Sequence, residues 1–256
     1  MSRSARRVPI LMFHSVSDAG GPTSIAPDTF RKQMAMLSES QFKVVSLEDV
    51  MRWHKGEIEL PEKSMAITFD DGFVDYQENA HPVLEAFGFP STLFVPTQKT
   101  GGHEDWVGGN DPGRPVLEWA DLQALDTTLS EIAPHGRTHV DLTTLDENKL
   151  GEEVAGSKAD LESALNKTTS HFAPPYGQVN ASALEQIAKY YDLSVGVEHG
   201  IATRQSDVFD LPRIEMFYYQ NAKHWQSFLD GKGGMYLAIR RALRTVRRLI
   251  NPVSYS

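Results

Sequence analysis

Met65-Ala-Ile-Thr-Phe-Asp-Asp-Gly72 decides how the rest of this chain is read. An apolar, β-prone run ends in two adjacent carboxylates, Asp70 and Asp71, and a glycine that permits an immediate sharp turn. The pattern predicts a buried strand that delivers two acids to the mouth of a sheet. Neighbours on a regular strand point to opposite faces, so both acids can serve one site only where the strand ends. Gly72 predicts that ending. Two carboxylates so close repel each other unless a proton or a cation separates them, and a cation held by one leaves the other free as a base. Asp-Asp-Gly alone also fits a polar turn capping the next helix, so other residues must decide between the two.

Working outward, Val8-Pro-Ile-Leu-Met-Phe-His14 reads as a first buried strand ending in a histidine. Helices are predicted over 27–37, where Phe30, Met34 and Leu37 share a stripe, and over 47–53, with a short strand at 42–46 between them. After the Asp-Asp strand come a helix over 76–87 that stops at Gly88 and a strand over 91–95. Residues 97–115, rich in Gly, Pro, Asn and Asp around Trp106, predict a long surface loop, and loops of that length are often functional. Helices at 117–125, 145–165 and 181–190 then alternate with strands at 131–133, 171–177, 193–197 and 211–216. The strand at 171–177 ends in a turn stiffened by Pro174 and Pro175 before Tyr176. This alternation predicts a single α/β domain over 1–230, a parallel sheet curled into a distorted (β/α) barrel, followed by a basic amphipathic tail over 231–256. Functional groups of such barrels gather at the carboxyl ends of the strands. His14, Asp70, Asp71, His135, the Pro175-Tyr176 turn and Arg213 all fall near such ends.

The 256 residues include no cysteine, so any metal must be held by His, Asp or Glu. A net charge of −9 argues against nucleic acid as a partner. That charge is unevenly spread: the tail from Gly231 carries six basic residues and no acid, which leaves −15 on the remainder. In the tail Met235, Ile239, Leu243, Val246 and Ile250 recur at helical spacing, and Arg240, Arg241, Arg244, Arg247 and Arg248 occupy much of the remaining surface. Such a helix can lie on an anionic membrane with its arginines among the headgroups, or pack its stripe on the barrel or on a second subunit. The opening Met1 to Arg7 is basic, but the apolar run after it is interrupted by His14 and lacks a cleavage signal. The expected location is therefore cytoplasmic, with peripheral contact through 235–250 at the inner face of the membrane. No stretch approaches the ~20 apolar residues of a membrane span.

Pro134-His-Gly-Arg-Thr-His139 puts two imidazoles four residues apart. If the chain makes a helical turn there, the two Cβ atoms lie ~5–6 Å apart, close enough to share a cation. With nine histidines a chance pair is expected, so this spacing is weak alone. Joined to a carboxylate of the Asp-Asp strand it makes a two-His, one-carboxylate set with a position left open, the arrangement of a catalytic metal.

Thr68-Phe-Asp-Asp-Gly72, the His135 to His139 pair and Phe172-Ala-Pro-Pro-Tyr-Gly177 resemble, in order, the first three motifs of the polysaccharide deacetylase family, also called the NodB-homology or carbohydrate esterase 4 family. The resemblance runs from about Val8 to about Met216 and includes Phe94-Val-Pro-Thr97 and Leu117-Glu-Trp119. It implies a distorted (β/α) barrel and a metal-dependent hydrolase that removes the N-acetyl group of an amino sugar or glycan precursor. It further implies that Asp71, His135 and His139 bind one divalent metal, most often Zn2+, and that Asp70 is the general base. The backbone N–H of Tyr176, on the turn that includes Pro175, is implied to bind the oxyanion, and the site's aromatic and polar walls, with Trp106 and Arg213 among the candidates, to meet the sugar. Many members carry Arg where this chain has Ala173, and that Arg steadies the base; Arg213 in Leu-Pro-Arg-Ile is the candidate replacement, against an ordinary structural arginine. Many members also carry a late Leu-x-Leu-His motif, for which the C-terminal half has no good match. In a subset resembling the poly-N-acetylglucosamine deacetylases it has moved to the N-terminus, and Ile10-Leu-Met-Phe-His14 fits, which makes His14 the general acid.

Two alternatives share these residues. The same metal hydrolase could act on a formamide or cyclic ureide, or the domain could bind glycan without turnover, as Ala173 and the missing late motif suggest. Because no export signal is read, the expected substrate is an N-acetylated sugar conjugate made in the cytoplasm.

Overall fold

The computed structural model describes residues 7–106, 108–110 and 112–250, the last six of these by backbone alone. Strands are β1 (Arg7–Val8), β2 (Ile10–Phe13), β3 (Lys43–Val44), β4 (Ser64–Phe69), β5 (Ser91–Val95), β6 (Ser130–Pro134), β7 (His171–Phe172), β8 (Leu193–His199), β9 (Ala202–Thr203) and β10 (Leu211–Glu215). Helices are α1 (Pro27–Ser38), α2 (Leu47–His54), α3 (His81–Phe87), α4 (Trp119–Leu125), α5 (Glu147–Leu165), α6 (Ala181–Tyr190), α7 (Ala222–Leu229) and α8 (Gly234–Ile250). The main sheet runs β6-β5-β4-β2-β10-β8-β7, all parallel, with β3 beside the start of β4. Its two ends nearly meet: the Ala173 N–H, just past β7, donates to the Pro134 carbonyl at 3.3 Å. The result is the distorted, nearly closed (β/α) barrel the alternation predicts. A small antiparallel pair, β1 with β9, clips the chain beneath it.

Parallel strands buried on both faces read as continuous apolar runs, yet side-chain parity still sorts them. Met65, Ile67 and Phe69 of β4 join the layer between sheet and helices, where Phe13 stacks on Phe69 at 5.1 Å and Phe30 of α1 meets Phe13 edge-on at 5.2 Å. Ala66 packs instead with Ile10, Phe94, Ala133 and Val195 inside the barrel. Thr68 and Asp70 continue that inward set. On β10, Ile214 joins the outer layer and Leu211 the inner one, so Arg213 is also inward. On β6, Ile132 is outer and Ala133 inner, and His135 follows the same parity inward.

Several sequence expectations shift. The helix expected over 76–87 is a π-helical turn, Tyr76–Ala80, followed by α3, whose Pro82 lacks the N–H a continuous helix needs. The helix expected from Leu117 begins at Trp119, because Glu118 is extended at φ −80° and ψ 160° and caps it, while the Leu117 N–H donates to the Gly72 carbonyl at 2.9 Å. The strand expected over 193–197 runs on to His199, the buried last residue of β8. Helix α7 was not anticipated, although Trp225, Phe228 and Leu229 form a buried i, i+3, i+4 stripe behind an Asn221 cap.

Helix α8 lies on the barrel the opposite way round from an ordinary surface helix. Leu237 is buried in the main core, and two arginines turn inward: Arg240 donates to the Tyr236 hydroxyl at 3.0 Å and lies over the Tyr218 ring, and Arg244 lies 3.8 Å from Glu215, while Arg241 pairs with Glu198 at the surface. Met235, Ile239 and Leu243 face outward at 78%, 51% and 55% exposure. The alternative in which the stripe packs on the barrel is thus overturned for these three residues; the side chains of Val246, Arg247, Arg248 and Ile250 lie outside the described residues. Among the described residues no helix is long and apolar enough to cross a membrane.

Candidate active site and metal centre

Asp70 and Arg213 meet inside the barrel from positions 143 residues apart. Arg213 donates Nη1–H to Asp70 Oδ1 and Nη2–H to Asp70 Oδ2, each at 2.7 Å, a fork-to-fork pair with side-chain exposures of 0% and 1%. The fork is itself anchored: Nε–H donates to the Gly196 carbonyl at 2.7 Å and Nη1–H also to Thr68 Oγ1 at 3.1 Å. Burial alone pushes the Asp70 carboxyl up, but the Arg213 charge and hydrogen bonds, helped by His135 and His14, hold it below the ordinary carboxylate value. Each carboxylate oxygen keeps a second lone pair that the fork does not use.

The strand ends one residue earlier than Gly72 alone suggests. Asp71 has φ 75° and Gly72 φ 69°, so the chain reverses hand at Asp71 and brings a side chain that parity would send outward back toward the barrel mouth. Gly72 must be glycine twice over: its φ is left-handed, and an added Cβ would lie 2.9 Å from Val95 Cγ1. A left-handed aspartate costs backbone energy, and such strain concentrates at functional sites.

The two histidines do not sit on a helical turn, and this corrects the expectation. They lie on a bent loop after β6 in which Gly136 has φ 70° and His139 φ 60°. The loop nevertheless brings them together, with ring centroids 5.0 Å apart. Asp71 Oδ1 lies 3.6 Å from His135 Nε2 and 3.1 Å from His139 Nε2, and one ligand atom from each residue falls within 4.8 Å of the others. Two tetrahedral ligands at the usual Zn–N and Zn–O bond lengths stand about 3.3 Å apart, so the spacing fits one small divalent cation. His135 Nδ1 is 2.7 Å from the Ala173 carbonyl, which fixes its proton on that side and leaves the Nε2 lone pair available to a cation. The backbone of Ala173 thus orients the His135 ring, although its side chain is not the arginine of many family members. Burial would raise the Asp71 carboxyl, but the hydrogen bond from His139 and the charges of His139, His14 and His135 carry it far below its ordinary value. Burial pushes His135 down to about 4, against the raising effect of Asp70 and with a further lowering from His139. All three residues are buried, and the donor set suits zinc or another borderline divalent ion.

The remaining candidates surround this cluster. His14 follows β2, whose Phe13 carbonyl accepts the Asp70 N–H at 3.0 Å, so the histidine and the two acids stand side by side at adjacent strand ends. His14 is buried, and its Nε2 has no hydrogen-bond partner among the described residues. Tyr176 holds φ 57°, and its ring meets His139 edge-on at 4.7 Å. Pro175 is buried beneath that turn. Trp106 stacks on His139 at 4.3 Å and on Phe73 at 6.1 Å, so the long loop folds down over the ligand cluster.

Sequence reasoning passed over the residues that hold these loops. Arg114 is buried and reaches across three of them: Nε–H donates to Glu104 Oε2 at 2.7 Å, Nη2–H to Thr23 Oγ1 at 3.1 Å, and its guanidinium lies 4.0 Å above the Phe73 ring. Glu153, on α5, takes hydrogen bonds from the loop between the histidines. A signal existed: Glu153 interrupts the buried stripe Leu150, Val154, Ser157, Leu161 with a charge.

A model of the polysaccharide deacetylase family matches residues 57–195. The chain belongs to the polysaccharide deacetylase family. It is 25% identical over 218 residues to YxkH of Bacillus subtilis, covering 82% of this chain and 71% of that protein. It is 24% identical over 243 residues to the poly-β-1,6-N-acetyl-D-glucosamine N-deacetylase of Escherichia coli, covering 80% of this chain but only 36% of that longer protein. Among solved structures it is similar to a deacetylase of Streptococcus pyogenes, PplD, in complex with acetate, with 26% identity and a TM-score of 0.72 over 81% of this chain and 91% of that one. As a polysaccharide deacetylase the chain is a carbohydrate N-deacetylase, a hydrolase of the carbon–nitrogen bond of an N-acetyl group.

Proposed function

We propose that the chain hydrolyses the N-acetyl group of a glucosamine-type sugar in a glycan or glycan conjugate, releasing acetate and leaving a free amine. One observation carries this reading: a cation-sized Asp71, His135, His139 cluster stands next in the chain to an aspartate locked by a buried guanidinium fork. The relatives described as poly-N-acetylglucosamine deacetylases support the choice of sugar.

Asp71, His135 and His139 would hold one divalent cation, zinc in this reading. Bound there, it would supply Lewis-acid polarisation of the amide carbonyl and acidify a water. Asp70 removes a proton from the attacking water, and its fork keeps the carboxylate ionised and fixed in rotation. The Tyr176 backbone N–H donates to the developing oxyanion, on a turn that Pro174 and Pro175 hold. His14, beside both acids, gives a proton to the departing nitrogen, so that one water is consumed for one acetate and one amine. Trp106 offers an aromatic face to the sugar, and Pro175 shapes the opposite wall.

We place the enzyme on the cytoplasmic side, peripherally at the membrane. Support comes from the exposed apolar face of Met235, Ile239 and Leu243, with Arg241, paired to Glu198 yet 59% exposed, left as the described arginine within reach of an anionic headgroup. A substrate carried on a lipid would then be within reach. Cell fractionation, and flotation of the protein with phosphatidylserine vesicles against neutral ones, test the placement.

The function is tested by incubating metal-loaded enzyme with a panel of N-acetylated sugar conjugates and measuring acetate and formate release. Acetate with wild type, and none with Asp70→Asn that still binds metal, is the expected result. Formate in place of acetate, or glycan and metal binding without any acyl release, refutes it.

A further inference from the structure

Both histidines of the ligand cluster hang on a loop with no regular hydrogen-bonding ladder of its own, so something else must define its shape. On the carbonyl side, the Thr97 N–H donates to the Gly136 carbonyl at 3.1 Å and the Gln98 N–H to the Arg137 carbonyl at 2.8 Å. On the amide side the His135 N–H donates to the Val95 carbonyl at 2.8 Å, and two of the amides between the histidines converge on one carboxylate. Glu153 Oε2 accepts from the Arg137 N–H at 2.7 Å and the Thr138 N–H at 3.1 Å, and Glu153 Oε1 accepts from the Thr138 hydroxyl at 2.6 Å. Glu153 is 7% exposed and rises from the apolar face of α5, so without these three donors it would be a buried, poorly paired charge. The fit is tight: a Cβ on Gly136 would lie 3.1 Å from Glu153 Oε2 and 3.2 Å from Pro175 Cγ, at a left-handed φ.

We propose that Glu153 is a positioning residue of the metal centre: it fixes the backbone between His135 and His139 and so sets the separation at which their Nε2 atoms face Asp71. The inference rests on the reading of those three residues as metal ligands. Asp160, two helical turns further along α5, grips the same loop differently. It accepts the Arg137 side chain through Nε–H at 2.8 Å and Nη2–H at 3.1 Å, and the Thr97 hydroxyl at 2.9 Å, but touches no amide between the histidines. That contrast separates control of ligand geometry from simple attachment of the loop.

The test is titration of metal-free protein with Co2+, reading affinity and the visible absorption of the bound ion, whose intensity follows coordination geometry. Glu153→Ala is expected to weaken Co2+ binding by about 10–100-fold, as losses behind metal ligands typically do, and to change the spectrum. Glu153→Gln is expected to stay close to wild type, because its carbonyl can accept both amides while its NH2 donates to a Thr138 hydroxyl that has reversed its role. Asp160→Asn is expected to lower thermal stability while leaving the Co2+ spectrum unchanged. Wild-type affinity and spectrum in Glu153→Ala, or equal damage from Ala and Gln, overturns the proposal. If Glu153→Ala does not fold, Thr138→Val decides: a changed spectrum with weaker binding supports the proposal, and wild-type behaviour refutes it. Failure of the wild type itself to bind Co2+ would instead remove the metal-centre reading on which the inference stands.

Discussion

Replacing Arg213 with methionine keeps most of the side-chain volume and removes the fork from Asp70. In the wild type both partners are almost wholly inaccessible, and both carboxylate oxygens are paired at 2.7 Å. Deleting one partner of such a buried pair costs about 3–5 kcal/mol if the other stays charged. A carboxyl escapes that cost by taking a proton, so the lower figure corresponds to roughly a 100-fold rise in its proton affinity at about 1.4 kcal/mol per factor of ten. Two readouts follow. The acid limb of the rate of acetate release, measured at saturating metal, should move toward neutral pH by about that factor in proton concentration. Stability should change sign in its pH dependence. In the wild type the Asp70 carboxyl is held below its ordinary value of 3.8, so its contribution is present above that value and lost as pH falls through the lower folded value. In Arg213→Met the folded value lies above the unfolded one, and urea unfolding should show stability falling as pH rises from acid toward neutral. Arg213→Lys keeps a charge but cannot span both oxygens and the Gly196 carbonyl, so a smaller displacement is expected. A cooperatively folded Arg213→Met protein whose acid limb superimposes on the wild type would show that the fork does not govern the ionisation of Asp70.

Further substitutions separate the other roles. His139→Ala should abolish tight binding of the divalent ion, and chelation should lower the wild-type melting temperature but not that of the variant, since a ligand stabilises only the state that binds it; calorimetry with and without chelator reads both. His14→Gln should retain fold and metal and lower kcat by about 10²–10⁴-fold, read from the rate of acetate release. Arg114→Met should cost about 3–5 kcal/mol in urea unfolding by stranding buried Glu104, and should raise KM more than it lowers kcat if the loop bearing Trp106 meets the sugar.

How much of this molecule can be read from the chain follows from the range of the interaction that settles each feature. The strand carrying Asp70 was legible because β4 is buried on both faces, so its apolar run needs no partner to be seen. Helices with a one-sided stripe, such as α1 and α6, were legible to within a residue or two, since burial of that stripe is a local pattern. The two-residue strands β1 and β9 were not, because their pairing is decided by a contact nearly two hundred positions away and leaves no local period. At the site the same division appears inside single residues. That Asp70 and Asp71 serve one cluster follows from a break in strand geometry at a glycine, but the left-handed φ is taken by Asp71 itself, a choice fixed by what its side chain meets. The histidine spacing suggested a helical turn, whereas Gly136 and His139 reach the same convergence through reversed backbone angles. For Arg213, the strand pattern supplied only a place near a strand end, and the family resemblance supplied the reason, a stand-in for the arginine absent at Ala173. Only the order in which β10 and β4 flank β2 brings its guanidinium to Asp70, and an arginine so deeply buried must find a carboxylate there or leave its charge unpaired.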